Sequence, residues 1–166
     1  MKLRPAHIDD AAAINELILQ FLSEFMISPD DSGAERFLDS VSVSAKAAYM
    51  SDSRYRYIVA TEDTVLAGFI ALRDDSHIFH LFVAREFQRQ GLARQLWNAA
   101  TAAAESTKSR TEFTVNSSPS ASPIYERFGF KKNGPPVEKH GIRFVPMHRP
   151  CTSSGSVDSD AQTPLA

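Results

Sequence analysis

The chain has one cysteine, Cys151, among 166 residues; without a second thiol it closes no internal disulfide and assembles no cysteine-built metal site. It also lacks an uninterrupted apolar run long enough to span a bilayer. Its opening, MKLRPAHIDD, has acidic residues where a secretory leader needs an apolar core, so no leader is expected. Strong charge of one sign is missing as well: 18 Lys and Arg face 20 Asp and Glu, for a formal net charge of -2. That balance gives nucleic acid or anionic lipid no broad basic face, and any bound anion must be held locally. No metal, nucleic-acid or membrane partner is therefore expected, and a reducing, cytoplasmic setting fits.

Apolar residues make up 43% of the chain, enough for one domain with a real core. Lys2 to Pro5 reads as a strand, and Asp9 or Asp10 caps a helix whose Ile14, Leu17, Ile18, Phe21, Leu22 and Phe25 recur at helical spacing. Residues 28–33 form a loop ahead of one weaker helical stretch through Phe37, Leu38, Val41, Ala45 and Ala48. Three β-rich runs follow, Tyr57 to Thr61, Val65 to Arg73 and His77 to Val83, divided by turns at Glu62-Asp63 and at Asp74 to Ser76. A helix carrying Leu92, Leu96, Trp97 and Ala100 comes next, then a strand from Glu112 to Val115. Ser118 is placed to cap a short helix with Pro119 at its first position, and Gly129 suits the left-handed stop. Phe130 and the run Ile142 to Met147 supply two closing strands. Beyond Pro150 the chain is polar and poor in large apolar groups, which predicts a domain over 1–149 and a disordered tail over 150–166.

The stretch Leu81 to Trp97, LFVAREFQRQGLARQLW, joins a buried strand to a helix through a loop rich in anion donors. First-turn amides of a helix lack intrahelical partners and sit at the positive end of the helix dipole, so a phosphate is stabilised there. Gly91, with no Cβ, lets an anion approach the backbone, and Arg85, Arg89 and Arg94 add local positive charge. Taken alone, Gln-x-x-Gly-x-Ala also fits an ordinary strand-to-helix loop with a permissive glycine.

Gln88-Arg89-Gln90-Gly91-Leu92-Ala93, following Leu81-Phe82-Val83, closely resembles the Gln/Arg-x-x-Gly-x-Gly/Ala signature of the GNAT superfamily of acyl-CoA N-acyltransferases. Downstream, Val115-Asn116, Ala121 and Tyr125-Glu126-Arg127-Phe128-Gly129-Phe130 are similar to that family's asparagine, alanine and Tyr-x-x-x-Gly-Phe pattern. Leu3-Arg4-Pro5-Ala6 with Asp9-Asp10 looks like its first strand and helix, so the resemblance runs over residues 2–149. It implies a mixed α/β (α+β) three-layer fold. A central, mostly antiparallel sheet of six to seven strands is flanked by about four helices, in the order β-α-α-β-β-β-α-β-α-β-β.

The resemblance also implies roles. Acetyl-CoA is the cosubstrate, held by Gln88, Arg89, Gln90, Gly91, Leu92, Ala93 and Arg94 at its diphosphate. Leu81, Phe82 and Val83 lie along its pantetheine arm, and Asn116 bonds the cofactor. Leu81 N–H becomes the donor to the thioester carbonyl as charge develops there. Tyr125 is the candidate general acid, because the departing thiolate, with a pKa of roughly 8.5, needs a proton that a positioned phenol can give. A tyrosine at this place also fits a plain core aromatic. His77 holds the place where some members carry a glutamate base, although a histidine opening a strand is commonly surface decoration; His80 falls on the opposite strand face. Asn116 follows its strand valine directly and Pro123 interrupts the helix before Tyr125, which departs from the family's usual spacing.

The expected activity is N-acetyl transfer to a primary amine through a ternary complex; the alternative is a noncatalytic acyl-CoA sensor. A nucleotide phosphohydrolase is disfavoured, since no Gly-Lys-Ser/Thr follows Gly91. The acceptor, a small molecule or peptide, should be walled by segments 25–37 and 133–141. Asp30, Asp31, Glu35 and Asp39 hint at a cationic acceptor such as a polyamine or lysine-like amine but are better explained as a solvated surface, and a homodimer stays open.

Overall fold

The computed structural model describes residues 1–30, 32–107 and 112–151. Residues 152–166 of the tail expected over 150–166, and Asp31, lie outside them. Among the described residues β1 (Lys2–Pro5) is followed by α1 (Ala11–Leu19), α2 (Glu35–Val41) and α3 (Val43–Ser51). Strands β2 (Tyr55–Glu62), β3 (Val65–Arg73) and β4 (His77–Val83) lead into α4 (Leu92–Glu105). The chain closes with β5 (Phe113–Ser117), α5 (Ser122–Arg127), β6 (Lys131–Lys132), β7 (Val137–Lys139) and β8 (Ile142–Arg149). The strands form one eight-stranded sheet ordered β1-β2-β3-β4-β5-β8-β6, with β7 on β8. Every pairing is antiparallel except β4 with β5. No described helix is long and apolar enough to cross a membrane.

Local chemistry accounts for several departures from the predicted elements. The second helical stretch is two helices, because Ser42 turns extended (φ -57, ψ 158) and its hydroxyl accepts from the Ala45 amide as an N-cap. The first helix stops at Leu19, and Leu22–Glu24 forms a separate 3-10 turn. Pro119 does not open the short helix. It begins at Ser122, so Pro123 sits in its first turn, where no helical hydrogen bond is lost, and interrupts nothing. Ser118 instead bonds the Ala121 amide in the preceding turn.

Two apolar layers sandwich the sheet. On one face Leu92, Leu96, Trp97 and Ala100 of α4 meet Phe113, Val115, Phe128 and Phe130. Helix α4 comes close because residue 68 is glycine: a Cβ there would lie 2.7 Å from the Phe82 carbonyl oxygen and 3.3 Å from Leu96 Cδ1. On the other face Ile14, Leu17, Ile18 and Phe21 cover Tyr57, Val59 and Phe69. That second face also buries a charge-bearing side chain. Lys46 is 0% exposed, with Nζ 2.8 Å from His80 Nε2 and close over the rings of Tyr49 and Phe79. Burial pulls its pKa down to about 7, and it holds the His80 imidazole neutral.

Strand β4 carries a bulge. Ala71 faces His80 while Leu72 faces Ile78, which leaves Phe79 as the extra residue. The inserted residue resets the alternation, so His77 and His80 share the face on which α1 and α3 pack, contrary to the opposite faces that unbroken alternation predicts. His77 accordingly meets Thr114 across the sheet, and its presence helps keep His80 uncharged.

Candidate active site

β4 and β5 pair only at His77 with Thr114 and Ile78 with Val115, and then diverge. Past that point the β5-facing edge of β4 has no ladder partner among the described residues. A cavity of about 560 Å³ lies along this opening, lined by Leu81, Phe82 and Val83 of β4. An unpaired strand edge of this kind accepts an extended chain as an added strand.

At one end the cavity meets the loop before α4, where Gln88, Arg89, Gly91, Leu92, Ala93 and Arg94 all line it. Gly91 is the N-cap of α4 in the left-handed region (φ 80), and no side chain caps the helix. The first-turn amides of a fourteen-residue helix therefore face the loop without a protein partner from that cap. Arg89 is also left-handed (φ 61). The loop is braced by its glutamines: Gln88 donates to the Val83 carbonyl at 3.0 Å and Gln90 to the Glu86 carbonyl at 3.1 Å. Gln90 thus serves the loop's shape and does not line the cavity. Arg94 is held by the Arg127 carbonyl at 3.1 Å, with its guanidinium over the Phe128 ring.

Tyr125 reaches the cavity from α5, 6% exposed, edge-on to Phe128 and Phe130. Burial raises the pKa of its phenol, so it keeps its proton at every working pH. His77 and Asn116 do not line the cavity. His77 sits where β4 still pairs with β5, its Nδ1 2.8 Å from Thr114 Oγ1, and burial together with the Arg73 charge draws its pKa down to about 4. Asn116 is exposed on β5, opposite Pro146.

The sequence model of the acetyltransferase (GNAT) domain matches residues 25–150. The chain belongs to the GNAT acetyltransferase family. Solved GNAT structures share its fold. One is a GCN5-related N-acetyltransferase from Rhodopseudomonas palustris, at 22% identity and a TM-score of 0.72 over 90% of this chain and 94% of that one. Another is the PaiA N-acetyltransferase of Thermoplasma acidophilum, solved with coenzyme A, at 14% identity and a TM-score of 0.68 over 90% and 98%. The aminoglycoside 6'-N-acetyltransferase of Enterococcus faecium matches at 13% identity and a TM-score of 0.65 over 90% and 97%. A comparison with curated protein sequences finds no match. As a GNAT domain the chain is an acyltransferase.

The GNAT cleft also contains residues that the motifs did not reveal. Phe21, Glu24 and Phe25 line the cavity beside Phe82, opposite Ser118 and Ser120. Phe82 packs against both Phe21 and Phe25, at centroid distances of 5.8 and 5.7 Å. The loop bearing them is stitched to the β7–β8 hairpin: Ile27 N–H donates to Gly141 O and Arg143 N–H to Phe25 O, both at 3.0 Å. Segments 25–37 and 133–141, expected as the acceptor walls, therefore meet directly. Nothing in the sequence set Glu24 apart, because a glutamate between Leu22 and Phe25 looks like the solvated side of a continuing helix.

Proposed function

We propose that this GNAT domain moves an acetyl group from acetyl-CoA to a primary amine by direct attack within a ternary complex. The observation that carries the proposal is one cavity that joins three features: the uncapped first turn of α4, the unpaired edge of β4, and the Tyr125 side chain. The residues present fit coenzyme A. A diphosphate suits the amides after Gly91 and the nearby Arg89 and Arg94, while the pantetheine arm suits the edge of Leu81 to Val83. When bound, acetyl-CoA supplies the activated thioester. The chain's own groups then divide the work: the Leu81 amide donates toward the carbonyl oxygen, and Tyr125 gives a proton to the leaving sulfur. The relative solved with coenzyme A and the relative named for aminoglycosides support this choice of cosubstrate and of an amine acceptor.

The acceptor's ammonium must also lose a proton. His77 is neutral and chemically able to take it, but from outside the cavity lining it would act through water. A noncatalytic acyl-CoA sensor would use the same slot without needing a buried phenol beside it, so Tyr125 favours the enzyme. The test is thiol release from acetyl-CoA across small amines, amino acids and peptides, with calorimetry for coenzyme A alone. Turnover of at least one amine is expected. Cofactor binding without any turnover would favour the sensor, and no binding would remove both.

A further inference from the structure

Four arginines line the cleft, Arg85, Arg89, Arg94 and Arg127, whereas Glu24 is the one acidic residue among those that line it. Glu24 stands with Arg85 beside the aromatic wall of Phe21, Phe25 and Phe82. We infer that Glu24 receives the acceptor's ammonium, and that Phe21, Phe25 and Phe82 pack on the hydrocarbon beside it. The substrate class is then a primary alkyl- or arylalkylamine without a carboxylate near the reacting nitrogen. This rests on the transferase function proposed above.

Glu24 is held in place before any ligand arrives. Its amide bonds the Phe21 carbonyl at 2.9 Å, closing the 3-10 turn, and the following residues are tied to the β7–β8 hairpin. One carboxylate oxygen accepts from Ser120 Oγ at 3.0 Å, across the cleft from its own wall. The other lies 3.5 Å from Arg85 Nη2, a pair in which the arginine side chain is 61% exposed and the glutamate 33%. Such a solvent-exposed pair is worth little, so an ammonium with a short, direct hydrogen bond can displace it. Arg85 keeps a second hold, with its guanidinium 4.8 Å from the Phe21 ring centroid.

The chemistry balances without another reagent. One ammonium proton passes to the Glu24 carboxylate and on to solvent. The freed lone pair forms the N–C bond as the C–S bond breaks. Sulfur takes a proton from Tyr125, and the surplus proton on nitrogen restores the phenol. Acetyl-CoA and the ammonium become the amide, coenzyme A and one released proton.

Glu24→Gln keeps the shape and an acceptor oxygen for Ser120 while removing the charge, and Glu24→Asp keeps the charge on a shorter arm. Each would be assayed with acetyl-CoA against matched amines with and without an adjacent carboxylate, with coenzyme A affinity by calorimetry and thermal unfolding alongside. For amines lacking the carboxylate, Glu24→Gln should lower kcat/KM by about 100-fold, in the range of a lost proton acceptor. Coenzyme A affinity should stay within about twofold, and Glu24→Asp should recover part of the loss. Wild-type turnover left unchanged by Glu24→Gln, a preference for carboxylate-bearing amines, or a matching loss of coenzyme A affinity would each overturn the assignment to Glu24 alone. A wild-type protein that binds coenzyme A but acetylates nothing would instead overturn the transferase function, and this inference with it.

Discussion

Under α4 the sheet buries Leu96, Trp97, Phe113 and Phe130 with no charged side chain among the described residues, whereas under α3 it buries Lys46 against His80 and leaves the Tyr57 hydroxyl without a hydrogen-bond partner. The first face acts as an inert brace: its packing fixes the start of α4 and the placement of Tyr125, and it has little to titrate. The second holds ionisable groups out of water, at a cost in stability that depends on pH. On the proposed function, cofactor geometry depends on the dry face, while acceptor contacts and pH sensitivity belong to the face that buries Lys46. Substitutions on each face should separate these properties.

The largest effect is expected at Tyr125. Tyr125→Phe keeps the ring packed on Phe128 and Phe130 and removes only the proton donor. Turnover should fall by roughly 10²–10⁴, with coenzyme A affinity and the unfolding midpoint little changed. Steady-state kinetics beside calorimetry would check this. A kcat that does not move would leave Tyr125 as a core aromatic only.

How much of this was legible in the sequence follows the same division. On the α4 face the apolar period of Leu92, Leu96, Trp97 and Ala100 and the glycine at the helix start are local signals, decided by local hydrogen bonding and burial, while the Tyr-x-x-x-Gly-Phe pattern was readable through the family resemblance. The three successive runs that form β2, β3 and β4 were equally readable from alternation and turns, whereas the parallel pairing of β4 with β5 was not. The bulge at Phe79 was not, because an extra residue in one strand appears only against its partner. It decides where His77 points. Glu24 was hidden for a related reason: the stitch that ties the loop after it to Gly141 and Arg143 joins residues more than a hundred apart in sequence. The break at Ser42 could have been found, since a serine before a second apolar run is an N-cap signal.

Lys46→Met should have the next largest effect, and on stability. The lysine's pKa falls from 10.5 free to about 7 folded, so between these values the unfolded chain holds a proton that the folded one has released. Stability therefore rises with pH across that window, and the full penalty applies below it. A shift of this size corresponds to about 5 kcal/mol at most. Leaving His80 without its partner returns about 1–3 kcal/mol of that. Lys46→Met should thus stabilise the fold by about 2–4 kcal/mol at pH 6, with the gain fading toward pH 10. Denaturant unfolding at the two pH values measures it.

A smaller change is expected at His77, whose pKa is lowered from 6.5 to about 4. Here the unfolded chain takes up the proton first as pH falls, so stability is lost between pH 6.5 and 4. His77→Gln can keep a hydrogen bond to Thr114 and cannot titrate. It should remove about 1–2 kcal/mol of that acid loss, discounted for the partial exposure of the ring. Some slope should remain, because His80 stays neutral beside Lys46. An acid-unfolding profile unchanged by the substitution would mean that His80 or surface carboxylates set the slope.

A comparable effect on stability is expected on the dry side, at Gly91→Ala. Nothing lies within 4 Å of a Cβ built there, so in the free protein the methyl group meets no neighbour. Its cost is conformational: φ of 80 is left-handed, which disfavours a residue with a side chain by about 1–2 kcal/mol. Unfolding of the free protein should register roughly that loss. A diphosphate drawn to the amides after residue 91 would need the same open space, so coenzyme A affinity should weaken by about a further tenfold, equivalent to about 1.4 kcal/mol. Acceptor KM should hardly move, because Glu24 and its aromatic neighbours belong to the other wall. If affinity for coenzyme A survived while stability fell, the phosphate would lie away from the start of α4, and the dry face would be a scaffold only.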